Sequence, residues 1–335
     1  MKALLEEIRG GGELGAGSIH AGFEALLNDA TGEGEMADFL LALNERGLNA
    51  DILTEAARVL RERMTKVDIG DLAALDTCGT GGDRKGSFNF STAAGVMLAA
   101  AGVPVAKHGN RAITSRSGSA DLLEALGVPI ELGAEEISDR IREKSFGFML
   151  APRFHPATRR VQQVRRRLDE VTVFNFLGPL LNPAQVKRQV VGVFSQGMRP
   201  LLAEAFRRLG AEKVWVVCAE DGLDELSPSG ATHVSEVTPA GIRELCVTPE
   251  EAGLRRTASQ HLKGGDAALN AKLLRGIFDR TFFGPIEDGI LLNAAAGLVV
   301  AERAADLKEG VRSLKEILQS GAALAKLDEL KESGT

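Results

Sequence analysis

Between Asp76 and Asp121 the chain concentrates the residue types that handle phosphate. The stretch opens Asp76-Thr77-Cys78-Gly79-Thr80-Gly81-Gly82-Asp83 and continues Asn89-Phe90-Ser91-Thr92. It then reads Lys107-His108-Gly109-Asn110-Arg111 and Ser117-Gly118-Ser119-Ala120-Asp121. Glycine lets backbone N–H groups come close to a phosphate, and a helix start adds a favourable field for an anion. Lys107 and Arg111 supply cations, and Thr114, Ser115, Ser117 and Ser119 supply hydroxyls suited to phosphate oxygens. Further along, Asp224-Glu225 places two carboxylates side by side. Such hard oxygen donors suit Mg²⁺. The combination points to a phosphate-rich ligand.

Each feature also has a plainer reading. The Gly79–Asp83 loop lacks the Lys-Ser/Thr ending of a P-loop and the spacing of a dinucleotide fingerprint. A glycine-rich turn can be only a turn. Ser91 and Thr92 stand where they could cap a helix, which is compatible with an anion at the same end. Lys107–Arg111 reads either as a solvated loop or, after a buried strand, as charges that need an anionic partner. Asp224-Glu225 alone reads as an acidic loop. Arg159, Arg160, Arg165, Arg166 and Arg167 share one helix and are mostly a solvated face, with Arg165 bordering its apolar side after Val161 and Val164. The five histidines show no metal-ligand spacing, and Trp215 reads as core.

Composition narrows the class. The chain has 335 residues, 44% hydrophobic and 26% charged, as expected of a soluble globular protein of one or two domains. A net charge of −6 gives no electrostatic footprint for nucleic acid. Cys78, Cys218 and Cys246 are few, odd in number and far apart, so reduced, buried thiols in a reducing cytosol are expected. The start carries acids early and has no signal-peptide core, and Leu291–Val300 is too short to span a bilayer. A cytoplasmic protein without membrane segments is expected.

These loops need a scaffold. Residues 1 to about 70 read as helices only: Met36, Phe39, Leu40 and Leu43 recur at helical spacing, as do Ile52, Ala56, Val59 and Leu60, with Asn49 as N-cap. From Leu75 short apolar runs alternate with amphipathic helices. Leu75–Cys78, Val103–Ala106, Phe146–Leu150, Val190–Phe194 and Val214–Ala219 read as strands. Ser91–Ala101, Ser119–Leu126, Ala134–Lys144 and Pro200–Leu209 read as helices. That alternation predicts an α/β fold with a mostly parallel central sheet. Ligands of such sheets bind outside the carboxyl ends of the strands, where the glycine loops fall. The expected domains are 1–70, joined by a returning segment near 160–185, and 71–335. Beyond Ala252 the chain reads as helical, with Leu291–Val300 buried and Leu307–Leu330 terminal.

Taken together, these residues resemble the anthranilate phosphoribosyltransferase family. The likeness covers the four blocks between Gly79 and Asp121, Ala151-Pro152-Arg153-Phe154-His155-Pro156-Ala157, Val164-Arg165, Phe174–Pro183 and Asp224–Ser227. It extends to Gly264-Gly265-Asp266 with Asn270, and to Leu292-Asn293-Ala294. It implies a small helical domain beside a large α/β domain of the nucleoside phosphorylase/phosphoribosyltransferase type, with the site in the cleft between them. It implies transfer of phosphoribosyl from phosphoribosyl pyrophosphate to anthranilate, with Mg²⁺ (two ions) and a homodimer joined through the helical domain.

Carried over by the resemblance, Gly79, Gly82, Asp83, Ser87, Asn89, Phe90, Ser91 and Thr92 would hold phosphoribosyl pyrophosphate. Lys107, His108, Gly109, Asn110, Arg111, Ala112, Ile113, Thr114, Ser115 and Ser119 would complete that site. Ser91, Asp224 and Glu225 would serve magnesium. Gly79, Asn110 and Arg165 would receive anthranilate, with Arg165 facing its carboxylate, and Pro152, His155 and Gly178 would line its route. Lys107, Asn110 and Arg165 are the expected catalytic residues. Departures from the family pattern fall at Arg84, at Thr158 and across Leu168–Thr172, so a different aromatic amine acceptor is an alternative. A non-catalytic nucleic-acid-binding relative would need a basic groove, and a nucleoside phosphorylase would not need the paired acids.

Overall fold

In the computed structural model residues 1–112, 116–168 and 170–332 are described. Four helices come first: α1 (Lys2–Arg9), α2 (Ala16–Leu27), α3 (Glu33–Arg46) and α4 (Ala50–Arg63). The Asn49 side chain accepts the Ile52 N–H at 2.9 Å and starts α4. Ile52, Ala56, Val59 and Leu60 are buried, as are Met36, Phe39, Leu40 and Leu43 of α3, so the helical period sets the inward face. Phe23 and Phe39 meet edge to face, 5.4 Å apart, and Gly22 leaves the gap that Phe39 fills.

The chain then builds β1 (Leu75–Gly79), α5 (Phe90–Ala100), β2 (Val105–Gly109), α6 (Ser119–Ala125), α7 (Ala134–Lys144) and β3 (Phe146–Leu150). A helical turn α8 (Ala151–Phe154), α9 (Arg159–Leu168) and α10 (Phe174–Leu177) lead to β4 (Arg188–Gly192), α11 (Met198–Arg208) and β5 (Lys213–Ala219). A hairpin, β6 (Thr232–Thr238) and β7 (Gly241–Val247), closes the sheet. The helices α12 (Ala267–Phe278), α13 (Pro285–Val300), α14 (Leu307–Gln319) and α15 (Ala322–Lys331) finish the described chain.

The seven strands run in the order β3-β2-β1-β4-β5-β6-β7. Five are parallel, and β6 and β7 pair antiparallel. Period-two alternation sends neighbouring side chains to opposite faces. Val190 and Trp215 join the core under α5 and α12–α15, whereas Val191, Val214 and Val216 join the core shared with α1–α4, α10 and α11. Order reverses between β1 and β4, which opens a crevice at the carboxyl ends of those strands.

Several expectations need correction. β2 begins at Val105 rather than Val103 and runs to Gly109, so Lys107, His108 and Gly109 belong to the strand, not to a loop after it. The Val190–Phe194 run is shifted to Arg188–Gly192, which leaves Phe194 beyond the strand. The terminal helical run is two helices, broken where Gly321 takes a left-handed φ of 77°. The β6–β7 hairpin has no counterpart among the predicted strands. Cys78 and Cys218 are buried, but Cys246 on β7 is exposed.

Candidate active site

Two glycines at the switch point make room for the acidic loop. Gly79 and Gly192 pair across β1 and β4 as the last residues of both strands. A Cβ at Gly192 would lie 1.6 Å from the Asp224 carbonyl oxygen, and one at Gly79 would lie 2.9 Å from Asp224 Oδ2. The loop after β5 therefore crosses the strand ends in direct contact with their backbone. There the Gly81 N–H donates to Asp224 Oδ2 at 2.9 Å, and the Ser91 N–H donates to Glu225 Oε1 at 3.0 Å. Each acid is fastened to one of the two glycine- and serine-bearing segments of the predicted donor site.

That second contact corrects the capping expectation. α5 starts at Phe90 after Asn89, and Ser91 and Thr92 lie inside its first turn. The helix-end amide at Ser91 meets a carboxylate of another loop, a favourable use of the helix field. Phe90 is buried against Gly289 of α13, where a Cβ would sit 2.3 Å from its ring. Thr92 is buried, and Ser87 bridges to Lys263.

The electrostatics of this corner favour a cation. Burial first, and the neighbouring Asp83 charge second, push the Asp224 carboxyl above its ordinary range. Glu225 is raised in the same way by burial and then by Asp224. Asp83 Oδ2 is buried with no hydrogen-bond partner. Three acids with too few donors fit Mg²⁺, a hard cation that binds through carboxylates and keeps several waters. Lys107 lies alongside, 1% exposed, its Nζ donating to the Thr77 carbonyl. A fully buried lysine is not expected from its residue type. Asp76, fully buried, is the opposing charge; it accepts the His108 N–H at 3.3 Å and Asn182 Nδ2 at 2.8 Å.

Asn110 and Ser119 meet beyond the end of β2. Ser119 Oγ accepts the Asn110 N–H and lies 3.1 Å from the Asn110 carbonyl. Gly109 allows this, since a Cβ there would stand 2.2 Å from Ser119 Oγ. Asp121 accepts the Ala112 and Gly118 N–H groups, both at 2.8 Å. Arg111 is engaged by Glu124 at 2.7 Å and Asp121 at 3.3 Å. Gly82 takes a left-handed φ of 89° and faces the Phe194 ring. Ile113, Thr114 and Ser115 lie outside the described residues.

On the other side of Lys107 stands a histidine pair. His108 and His155 are buried with their Nε2 atoms 3.2 Å apart, and His108 Nδ1 lies 3.2 Å from the Gly178 carbonyl. A carbonyl can only accept, so Nδ1 of His108 carries the proton and its Nε2 is the acceptor. His155 then donates through Nε2. Burial depresses both rings, His108 to about 3 and His155 to about 4, so both are neutral at pH 7. Gly178, whose carbonyl meets His108, is exposed, and so is Pro152.

Arg165 is half-buried, as its place on α9 suggested, while Arg166 and Arg167 are exposed. Its Nε donates to Thr172 Oγ1 at 3.1 Å, and its other nitrogens to Gln162 and Asn175 at 3.1 and 3.0 Å. It also lies 5.4 Å over the Phe174 ring. Those bonds keep it within the 162–175 segment and hold its guanidinium in a fixed orientation. Gly192 and Gln189 are not singled out in the sequence, where Gly192 lies inside the apolar run Val190–Phe194, and Asn182 enters only as part of the Phe174–Pro183 block.

A helical bundle beside an α/β domain, with a phosphate-type crevice between acids and glycine loops, defines a class of group-transfer enzyme. The sequence matches the glycosyl transferase family a/b domain over residues 71–324 and its helical bundle domain over residues 2–64. The chain belongs to that family and, within it, to the anthranilate phosphoribosyltransferases. It is 46% identical over 330 residues to the anthranilate phosphoribosyltransferase of Bradyrhizobium sp. strain ORS 278, covering 98% of this chain and 97% of the relative. The crystal structure of the enzyme from Thermus thermophilus superposes with a TM-score of 0.92 at 42% identity, over 99% of this chain and 98% of that one. The Saccharomyces cerevisiae enzyme in complex with phosphoribosyl pyrophosphate and Mg gives 0.87 at 29% identity, over 95% and 92%.

Proposed function

We propose that this protein transfers the phosphoribosyl group of 5-phosphoribosyl 1-pyrophosphate to anthranilate, releasing pyrophosphate, in tryptophan biosynthesis. The observation that carries this is the acidic loop at the β1/β4 switch, where Asp224 and Glu225 meet the two segments suited to phosphate. In the reaction the C1–O bond to pyrophosphate breaks with its electron pair leaving on oxygen. The amine lone pair forms the C1–N bond, and the amine proton passes to solvent. An aniline-type amine is neutral at pH 7, so no general base is assigned, and catalysis is positioning and charge stabilisation.

The residues divide the work. Gly79–Asp83, Ser87 and Asn89–Thr92 bind the donor, with His108–Ser115 and Ser119 completing its site. Lys107 adds positive charge near the leaving group. Asp224 and Glu225, with Asp83 beside them, would hold magnesium, two ions by the family resemblance, with Ser91 as a further oxygen. When bound, the metal neutralises the pyrophosphate. Arg165 receives the anthranilate carboxylate and Asn110 its ring side. His108, His155, Gly178 and Pro152 line the acceptor route. The chemistry of a different aromatic amine acceptor rests only on the departures near Thr158 and Leu168–Thr172, and the relatives favour anthranilate.

Residues 1–70 with the returning 160–185 segment form the helical unit, which fits the shared core of α1–α4 with α10. We place the enzyme in the cytoplasm as a homodimer joined through that unit; no helix among the described residues is long and apolar enough to cross a membrane. The test is loss of anthranilate fluorescence on adding phosphoribosyl pyrophosphate and Mg²⁺. Consumption that EDTA abolishes supports the reading. Folded protein that binds the donor but leaves anthranilate untouched overturns the choice of acceptor.

A further inference from the structure

The C-terminal motifs at Gly264–Asn270 and Leu292–Ala294 have no part in the chemistry above, yet the structure places both against the donor site. Asn293 on α13 is 2% exposed. Its Oδ1 accepts the Leu226 N–H at 3.0 Å, and its Nδ2 donates to the Leu226 carbonyl at 2.9 Å. It also donates to the Gly289 carbonyl at 2.9 Å, which fixes the side chain to its own helix. One amide thus grips both backbone groups of the residue that follows Glu225.

Asn270 on α12, 1% exposed, does the same for the other half. Its Oδ1 accepts the Gly265 N–H at 2.8 Å, and its Nδ2 donates to Asn89 Oδ1 at 2.9 Å. Asn89 Nδ2 in turn donates to the Ser117 carbonyl at 2.9 Å. A carbonyl can only accept, so the direction of this chain of amides is fixed from Ser117 back to Gly265. The backbone reinforces it: Phe88 N–H donates to Leu262 and Gly264 N–H to Gly86, both at 3.0 Å. Asn89 immediately precedes α5, whose Ser91 N–H holds Glu225. Both ends of the acid–amide contact at Ser91 are therefore set by C-terminal asparagines. An asparagine that supplies a donor and an acceptor at once has no isosteric substitute, because a carboxylate would face carbonyl oxygens and a leucine would leave polar groups unpaired.

We infer that Asn293 and Asn270 are positioning residues of the donor site: Asn293 sets the Asp224-Glu225 loop for the metal, and Asn270 sets Asn89 and the start of α5 for the donor. The inference rests on the transferase reading above.

The test uses the full-length protein and the variants Asn293→Ala, Asn293→Ser, Asn270→Ala and Leu314→Ala. Leu314 on α14 is buried in the large core and serves as the control for plain destabilisation. Anthranilate consumption is measured against Mg²⁺, phosphoribosyl pyrophosphate and anthranilate in turn. Melting temperature is measured with and without Mg²⁺ and phosphoribosyl pyrophosphate. The expected result is a tenfold or greater rise in half-saturating Mg²⁺ for both Asn293 variants. Asn270→Ala should raise the donor KM tenfold. Anthranilate KM should stay within twofold throughout. The melting gain given by Mg²⁺ with the donor should shrink in the asparagine variants and remain whole in Leu314→Ala. Equal shifts in Leu314→Ala, or unchanged metal and donor dependence in the asparagine variants, would overturn the assignment. If an alanine variant does not fold, Asn293→Ser carries the same comparison. A wild-type protein with neither turnover nor a melting gain overturns the transferase reading instead.

Discussion

The carbonyl oxygen of Asp224 occupies the space that a side chain at Gly192 would need, 1.6 Å from where its Cβ would stand. The end of β4 and the acidic loop after β5 are packed backbone to backbone, so position 192 decides whether the carboxylates reach Gly81 and Ser91. Gly192→Ala should displace the loop and reduce turnover at least a hundredfold. Retained activity at the wild-type level would show that the loop can move aside without consequence.

Arg165 tests the acceptor side. Arg165→Ala removes the guanidinium oriented by Thr172, Gln162 and Asn175. The anthranilate KM should rise tenfold or more, with the donor KM within about twofold. An unchanged anthranilate KM would remove Arg165 from the acceptor site.

The acidic pair should show function gained at the expense of stability. Buried carboxylates held above their ordinary range weaken the folded state wherever they ionise. Asp224→Asn combined with Glu225→Gln should therefore melt higher than the wild type in EDTA at pH 8. The same protein should lose most of its Mg²⁺-dependent turnover. A lower melting temperature would mean that the charges are already compensated by the protein.

The histidine pair predicts a pH dependence. An unfolded histidine titrates near 6.5, whereas burial holds His108 and His155 down at about 3 and about 4. Between those values the unfolded chain binds more protons, so stability is complete above about pH 6.5 and falls as pH drops towards 4. Over the full range His108 contributes on the order of 5 kcal/mol and His155 on the order of 3 kcal/mol. Denaturant unfolding followed from pH 7.5 to 4.5 measures this. In His155→Gln the slope should flatten, and an unaltered slope would assign the acid sensitivity to other groups.

The helices and central strands are legible in the sequence because their signals are local. Ile52, Ala56 and Val59 mark one face of α4, and Phe146–Leu150 is an unbroken apolar run. The β6–β7 hairpin is hidden because Thr232, Ser235 and Glu244 interrupt the apolar pattern, although these polar groups are paired in the structure, Ser235 Oγ with Glu244 at 2.7 Å. Lysine is rarely buried, so residue type alone puts Lys107 in a loop; its strand position depends on Asp76 and Thr77 on the neighbouring strand. The glycine loops and acidic pair stand out in the sequence by residue type, but the clash that requires Gly192 arises only when β4 meets a loop far along the chain. Gln189, which donates to Pro179 at 3.2 Å, is likewise intelligible only once the sheet has formed.

The order of synthesis gives the mixed core under α1–α4 a further significance. Leu40, Leu53 and Leu60 share it with Val161, Phe174, Phe176, Leu180, Val191 and Leu202. When the ribosome has released the first four helices, the surfaces that cover them have not yet been made. The nascent amino-terminal segment must wait, apolar faces uncovered, until the segment around Phe174 and the strands beyond it emerge. The helices α1–α4 thus precede their own cover along the chain, so their apolar faces are an aggregation hazard until the segment around Phe174 and strands β4 and β5 have been made.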